Sequence, residues 1–247
     1  MQHSVLITGA ARRIGRELAL AMAADGCAVA VHYGTSEADA HDVVSTIRAK
    51  GGTACAVQGD LRDPDTPARL IAESVDALGG LTCLINNASC FFYDDAATMT
   101  PQSWAEHMDV NLRAPVFLTQ FFAAALPRDR EANVINILDE RVWKLAPTHF
   151  SYTLSKSALW TATRTLAQSY APRIRVNAVG PGPTLPNARQ THAEFELENR
   201  TMLLERGTTP GEVADAVKYI LAAPAMTGQM IALDGGQHLL WQTPDML

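Results

Sequence analysis

Seven short apolar runs punctuate the chain, at 4–8, 27–32, 53–57, 82–86, 133–138, 174–178 and 230–233. Within each run the apolar residues are nearly continuous rather than alternating with polar ones. Strands covered on both faces require that pattern. Between the runs the apolar positions take a helical period, over roughly 12–25, 36–51, 64–79, 101–127, 151–171 and 210–222. Local signals agree with these boundaries. Thr100 before Pro101, and Thr209 before Pro210, each set a capping residue ahead of a proline at the first helical position. Thr209 and Glu212 have the spacing of a capping box. Gly26 stands where the first helix should stop.

Strand and helix in regular alternation imply an α/β fold. Its core should be a doubly wound parallel sheet of about seven strands with helices on both faces. No repeat, low-complexity tract or linker interrupts the alternation, so residues 1–247 read as a single domain. Residues 183–208 are the departure, polar and irregular at first, then helical. Lying just before the last helix, they read as a substrate loop or lid.

Composition narrows the partners. The chain has 47% hydrophobic and 19% charged residues, as a globular domain does, and a net charge of −6. There is no basic footprint for nucleic acid and no Lys/Arg block for an anionic membrane surface. No apolar stretch reaches the ~18 residues of a transmembrane helix. The opening MQHSVLITGA reads as a strand rather than a signal peptide. Cys27, Cys55, Cys83 and Cys90 form no CxxC pair, so the expectation is reduced thiols in a cytoplasmic protein. The seven histidines lack metal-ligand spacing, and no metal is expected.

The first strand runs into Thr8-Gly9-Ala10-Ala11-Arg12-Arg13-Ile14-Gly15, and a helix follows. Gly9 permits a tight turn and Gly15 a close approach of helix to sheet. Backbone N–H groups at the helix start then face a pyrophosphate. This is a Rossmann-like turn. An NAD site presents an acid to the adenosine ribose about 20 residues further on. Here the second strand ends His32-Tyr33-Gly34-Thr35-Ser36, with no acid before Glu37. Arg12, Arg13 and Ser36 suit a 2′-phosphate instead. Two arginines at the positive end of a helix dipole are unfavourable without an anion. The reading is therefore NADP(H).

Tyr152 and Lys156 stand at i and i+4 of a helix and share a face. A free phenol with a pKa of about 10 is a poor acid at neutral pH. A neighbouring ammonium favours the phenolate by about one to three units. Tyr152 then suits proton donation to an atom receiving hydride. Alone, the same spacing also describes an amphipathic helix with a surface lysine.

The set Thr8-Gly9…Gly15, Asp60, Asn86-Asn87-Ala88, Asn111, Tyr152-Thr153-Leu154-Ser155-Lys156 and Pro181-Gly182 resembles the short-chain dehydrogenase/reductase family along nearly the whole chain. The resemblance implies a cofactor site. It places Asp60 near the adenine, the Asn87-Ala88 turn beside the cofactor, and Pro181 and Gly182 near the nicotinamide, with Ile14, Tyr33, Leu61 and Ser89 also among the cofactor-binding residues. Lys156 would also hold the nicotinamide ribose. Asn111, a mediocre helix former inside a helical period, would have a structural and proton-relay role.

Two departures from the common family pattern are similar to the pteridine reductase branch, which includes dihydromonapterin and dihydrofolate reductases. Asp139 replaces the usual serine thirteen residues before the tyrosine, and Arg13 replaces the central glycine of the turn. The run Asn86-Asn87-Ala88-Ser89-Cys90-Phe91-Phe92 resembles that branch too, as does Leu233-Asp234-Gly235-Gly236-Gln237-His238-Leu239. By that resemblance Asp139, Tyr152 and Lys156 do the proton chemistry. Phe91 stacks a pterin, while Ser89 and Arg13 touch cofactor or substrate. Trp143 reads either as a pocket residue or as packing under the lid. Asp94 and Asp95 read as a solvated acidic loop.

The expectation is an NADPH-dependent reductase of a pterin-type C=N bond. The alternatives are a general carbonyl reductase acting on a 3-oxoacyl thioester, a sugar or another ketone, and a non-catalytic NADP(H)-binding regulator. By the same resemblance the chain is a homotetramer built partly on the helices at 101–127 and 151–171. Its tail from His238, with Leu239, Leu240 and Trp241, would reach a neighbour's active site.

Overall fold

Neighbouring residues of the first strand, β1 (Ser4–Ile7), pack into different cores. Val5 and Ile7 join one apolar cluster and Leu6 the other, all three almost fully buried. A strand alternates its side chains, so both faces of the sheet must be covered. The structure is a computed structural model and describes residues 3–186 and 190–241.

The other strands are β2 (Ala28–Tyr33), β3 (Ala54–Gln58), β4 (Cys83–Asn86), β5 (Ala132–Ile137), β6 (Ile174–Pro181) and β7 (Met230–Leu233). They form one seven-stranded sheet in the order β3-β2-β1-β4-β5-β6-β7. Every pairing is parallel. One face is covered by α1 (Arg13–Ala24), α2 (Glu37–Ala49) and α8 (Pro210–Ala222), which contribute Leu18, Val43 and Val217 to its core. The other is covered by α3 (Thr66–Leu78), α5 (Ala114–Ala125) and α6 (Phe150–Tyr170), through Leu70, Leu118 and Ala167. The expected doubly wound parallel sheet is the observed one.

Caps behave as the sequence predicts. Thr209 and Glu212 form a reciprocal capping box, as do Thr100 and Ser103. Gly26 follows α1 with φ +85°. The expected single helix over 101–127 is corrected. It divides into α4 (Pro101–Met108), a five-residue π turn (Asp109–Arg113) and α5. A helical period does not register one extra residue per turn, and such turns recur at functional sites. The strand expected over 174–178 continues to Pro181. Pairing of Val179, Gly180 and Pro181 with Ile231, Ala232 and Leu233 overrides the poor strand propensity of the glycine and the proline.

The segment 183–208 contains α7 (His192–Arg200), which begins at a Thr191–Glu194 capping box and buries none of its residues. Residues 187–189 of the expected lid, and 242–247 of the expected tail, lie outside the described residues. Within the described tail, Leu239 and Trp241 are exposed and Leu240 is half-buried. Among the described residues no helix is long and apolar enough to cross a membrane.

Candidate active site

The strand order reverses direction between β1 and β4, and open α/β sheets bind ligands at the carboxyl ends of such strands. Thr8 follows β1, and its hydroxyl oxygen accepts from the amides of Asn87 and Ala88 at 2.9 and 3.0 Å, just beyond β4. The Asn87 side chain donates back through Nδ2 to the Thr8 and Gly9 carbonyls at 2.9 and 3.2 Å. Gly9 has φ +62°. A Cβ on Gly15 would stand 2.1 Å from the Gly9 carbonyl oxygen, so glycine alone allows α1 to start this close to the sheet. His32, buried at the end of β2, completes the clamp. Its Nδ1 accepts from the Gly9 amide at 3.0 Å, so Nε2 carries the proton and donates to the Gly59 carbonyl at 3.0 Å. Burial pushes its pKa down to about 4.

A cleft of about 900 Å³ runs from this turn. At one end it is lined by Arg12, Arg13, Ile14, Tyr33, Ser36, Asp60 and Leu61. Ser36 precedes α2, but its hydroxyl makes no cap bond. The Asp60 carboxylate is gripped by the Arg62 guanidinium, with contacts of 2.7 and 3.0 Å. Besides the anion expected at the helix start, the two arginines have protein partners. Arg12 lies 3.7 Å from Asp39, both exposed. Arg13 donates to the Pro186 and Leu185 carbonyls at 2.8 and 3.2 Å. Its φ of +54° is the left-handed conformation that glycine adopts at no cost.

The other end of the cleft is lined by Ala88, Ser89, Phe91, Asp139, Tyr152, Lys156, Pro181 and Gly182. The Tyr152 hydroxyl donates to Asp139 Oδ2 at 2.7 Å, while Asp139 Oδ1 accepts from the Arg141 amide at 3.0 Å. Asp139 therefore caps its own 3-10 turn (Glu140–Val142) and holds the phenol at once. Lys156 donates to the Ile137 carbonyl at 2.8 Å, and its ammonium lies 5.8 Å from the Tyr152 ring centre. Burial pulls the Lys156 pKa down to about 8. The expected lowering of the Tyr152 pKa does not hold in this arrangement. Burial first, then the charge and hydrogen bond of Asp139, hold the phenol well above its usual value. Tyr152 is thus a protonated donor already aimed at a carboxylate.

Asn111 sits in the π turn, fully buried and outside the cleft lining. Its Oδ1 accepts from the Cys90 amide and Ser89 hydroxyl at 2.8 and 3.1 Å. Its Nδ2 donates to the Cys90 carbonyl and Ser155 hydroxyl at 3.0 and 3.1 Å. Those bonds occupy the side chain in holding the Ser89–Cys90 corner against α6, and none goes to Lys156. Phe91 stacks on His149 with ring centres 4.4 Å apart, and meets Tyr152 edge-on at 4.8 Å.

Trp143 is corrected. It is not part of the cleft lining; its ring packs edge-on against His238 at 5.2 Å, in the 3-10 turn Gln237–Leu239. The reading of Asp94 and Asp95 as a solvated loop is corrected as well. Asp94 is buried and accepts from the Ser151 amide at 3.0 Å. Asp95 accepts from the Ala97 and Thr98 amides at 2.9 and 2.8 Å, closing a turn. His149 and Glu140 line the cleft without any spacing signal that marks them in the sequence. Burial, then the neighbouring Asp139, raises the Glu140 pKa to about 7.

A parallel α/β sheet with a glycine turn at its switch point and a buried Tyr–Lys pair across the cleft defines a nucleotide-dependent oxidoreductase. The family model described as enoyl-(acyl carrier protein) reductase matches residues 9–238, and the chain belongs to the short-chain dehydrogenase/reductase family. An uncharacterized oxidoreductase of Methylorubrum extorquens is 34% identical over 94% of this chain and 96% of its own length. A 3-oxoacyl-[acyl-carrier-protein] reductase of Staphylococcus aureus is 31% identical over 97% of this chain and 99% of its own. Among solved structures, FolM alternative dihydrofolate reductase 1 from Brucella suis, in complex with NADP, is 46% identical with a TM-score of 0.96. That match covers 99% of this chain and 98% of the other. The Brucella canis FolM, also complexed with NADP, has the same identity and TM-score and is covered to 97%.

Proposed function

We propose that this protein is an NADPH-dependent reductase of a pterin-type C=N bond, acting on a dihydropterin or dihydrofolate. The observation that carries the reading is the Tyr152–Asp139 hydrogen bond of 2.7 Å beside the Phe91 ring. A serine in place of Asp139 orients a carbonyl oxygen. A carboxylate in that position accepts hydrogen bonds from ring nitrogens and amino groups, which heteroaromatic substrates carry. Phe91 gives a flat ring a face to lie against.

The cleft suits NADP(H). Its volume, the glycines that let α1 approach the sheet, and the absence of an acid between Tyr33 and Ser36 all fit that group. The amides of the Gly9 turn and of α1 would hold the pyrophosphate. Arg12, Arg13 and Ser36 would meet the 2′-phosphate, since an exposed pair such as Arg12–Asp39 is weak enough to re-partner. Asp60 and Leu61 would lie by the adenine, Lys156 by the nicotinamide ribose, and Pro181 and Gly182 by the nicotinamide. When bound, the cofactor supplies the hydride.

Tyr152 gives its Oη proton to the substrate nitrogen as the adjacent carbon is reduced. The ammonium of Lys156 then stabilises the tyrosinate. Asp139 orients the phenol beforehand and the substrate's N–H groups during the reaction. Four unpaired cysteines support a cytoplasmic location. Exposed Phe117 on α5 and Leu154 on α6 support assembly into a homotetramer through those helices.

The test is NADPH oxidation by purified protein against dihydrobiopterin, dihydromonapterin, dihydrofolate and an acetoacetyl thioester, with NADH as the cofactor control. Turnover on the pterins with NADPH is expected. Turnover on the thioester alone overturns the reading in favour of a carbonyl reductase, the activity by which the Staphylococcus relative is named.

A further inference from the structure

The catalytic helix α6 starts without a cap of its own. His149 precedes it at φ +54° and makes no side-chain cap bond. The first turn of a helix carries amides that need partners, and here a distant loop provides them. The Phe150 amide donates to the Asp94 backbone carbonyl at 3.2 Å, and the Ser151 amide to Asp94 Oδ1 at 3.0 Å. The Ser151 hydroxyl donates to Asp94 Oδ2, which also accepts from the Ser103 hydroxyl at 3.3 Å. Because Ser151 donates to Asp94, its oxygen is left to accept, and it meets His107 Nδ1 at 2.6 Å. The His107 ring stacks on Phe92 at 4.0 Å and meets the Tyr152 ring edge-on at 5.8 Å. Asp94, His107 and Ser151 are all buried, so the network is a strut rather than a binding site.

Asp94 lies three residues beyond Phe91, and Ser151 immediately precedes Tyr152. The loop is thus pinned twice, at Cys90 by Asn111 and at Asp94 by α6. We propose that Asp94, with Ser151 and His107, is a positioning residue that locks the substrate platform at Phe91 and the proton donor Tyr152 into one rigid unit. Movement of the loop alone would withdraw the helix cap. Movement of the helix start alone would strand a buried carboxylate, which is costly. The spacing between ring platform and phenol is therefore held by a bond network that neither group belongs to. The catalytic consequence rests on the reductase reading; the coupling itself does not.

Asp94→Asn tests it, because the amide nitrogen must face at least one of the three donors now met by the carboxylate. In the ligand-free protein, amide hydrogen exchange should accelerate about tenfold or more both at 89–93 and at 150–153. On the pterin that the wild type reduces, kcat/KM per NADPH-binding site should fall about tenfold to a hundredfold, through both kcat and KM. NADPH affinity should stay within about twofold. Ser151→Ala keeps the backbone cap and removes only the hydroxyl bridge. It should show a smaller change of the same kind, and it decides the matter if the Asn variant does not fold. Faster exchange in one segment only, or in neither, overturns the proposal. So does activity that falls only with the fraction folded while KM is unchanged. A wild type that reduces no pterin sinks the reductase reading, and the exchange experiment still decides the coupling.

Discussion

At the scale of single residues the site is a proton donor held by its own acceptor. Removing the Tyr152 hydroxyl takes away the proton and leaves Asp139 without its 2.7 Å donor. Tyr152→Phe should lower kcat about 10²- to 10⁴-fold, the usual worth of a positioned general acid. NADPH binding, read by fluorescence titration, should be nearly unchanged. Near-normal turnover by that variant would show that another group gives the proton. Asp139→Ser should depress pterin kcat/KM by about tenfold or more while sparing any thioester activity, because a hydroxyl cannot offer two acceptor oxygens. An unchanged pterin rate in a steady-state assay would remove the main ground for the substrate class. The roles at this scale were legible where chemistry fixes a spacing, as for Tyr152 and Lys156 one helical turn apart. They were illegible where the partner is remote. Arg13 reaching Leu185 and Pro186, and Trp143 turning to His238, depend on how loops fold back and leave no local pattern.

At the scale of elements, the glycine turn depends on a histidine in the next strand. Nδ1 of His32 must stay unprotonated to accept from Gly9. Its folded pKa, near 4, lies below the ordinary histidine value of about 6.5. Between those values the unfolded chain binds more protons than the folded one, so stability rises with pH there. His32 should therefore cost nothing above about pH 6.5 and on the order of 3 kcal/mol as pH falls to 4. Urea denaturation at pH 7, 5 and 4 should show this loss. His32→Gln, whose amide offers both an acceptor and a donor, should flatten that part of the profile. A wild-type midpoint independent of pH would refute the assignment. The strands and most helix limits were readable because burial on both faces and capping chemistry act through near neighbours. The π turn around Asn111 was not, since one inserted residue barely disturbs the period. The capping of α6 by Asp94 was not either, because the two lie 57 residues apart.

At the scale of the whole molecule, Phe117, Leu154 and Tyr219 leave apolar surface on three helices, with exposures of 42%, 36% and 60%. The tetramer proposal makes these residues contacts between copies of the chain. Light scattering should return about four times the chain's 26.6 kDa, and Phe117→Glu should lower the mass while leaving the circular dichroism unchanged. A monomeric wild type would reject the assembly. The parallel sheet has one more consequence. With all strands aligned, the molecule has a front rim bearing the glycine turn and the Tyr152–Lys156 pair and a back rim where Ser4 opens β1. Gln237 of the last turn belongs to the front. A sensor surface or affinity handle joined on the Ser4 side would present the cleft outward, whereas one attached at Gln237 would crowd its mouth and report a slower enzyme than the free protein.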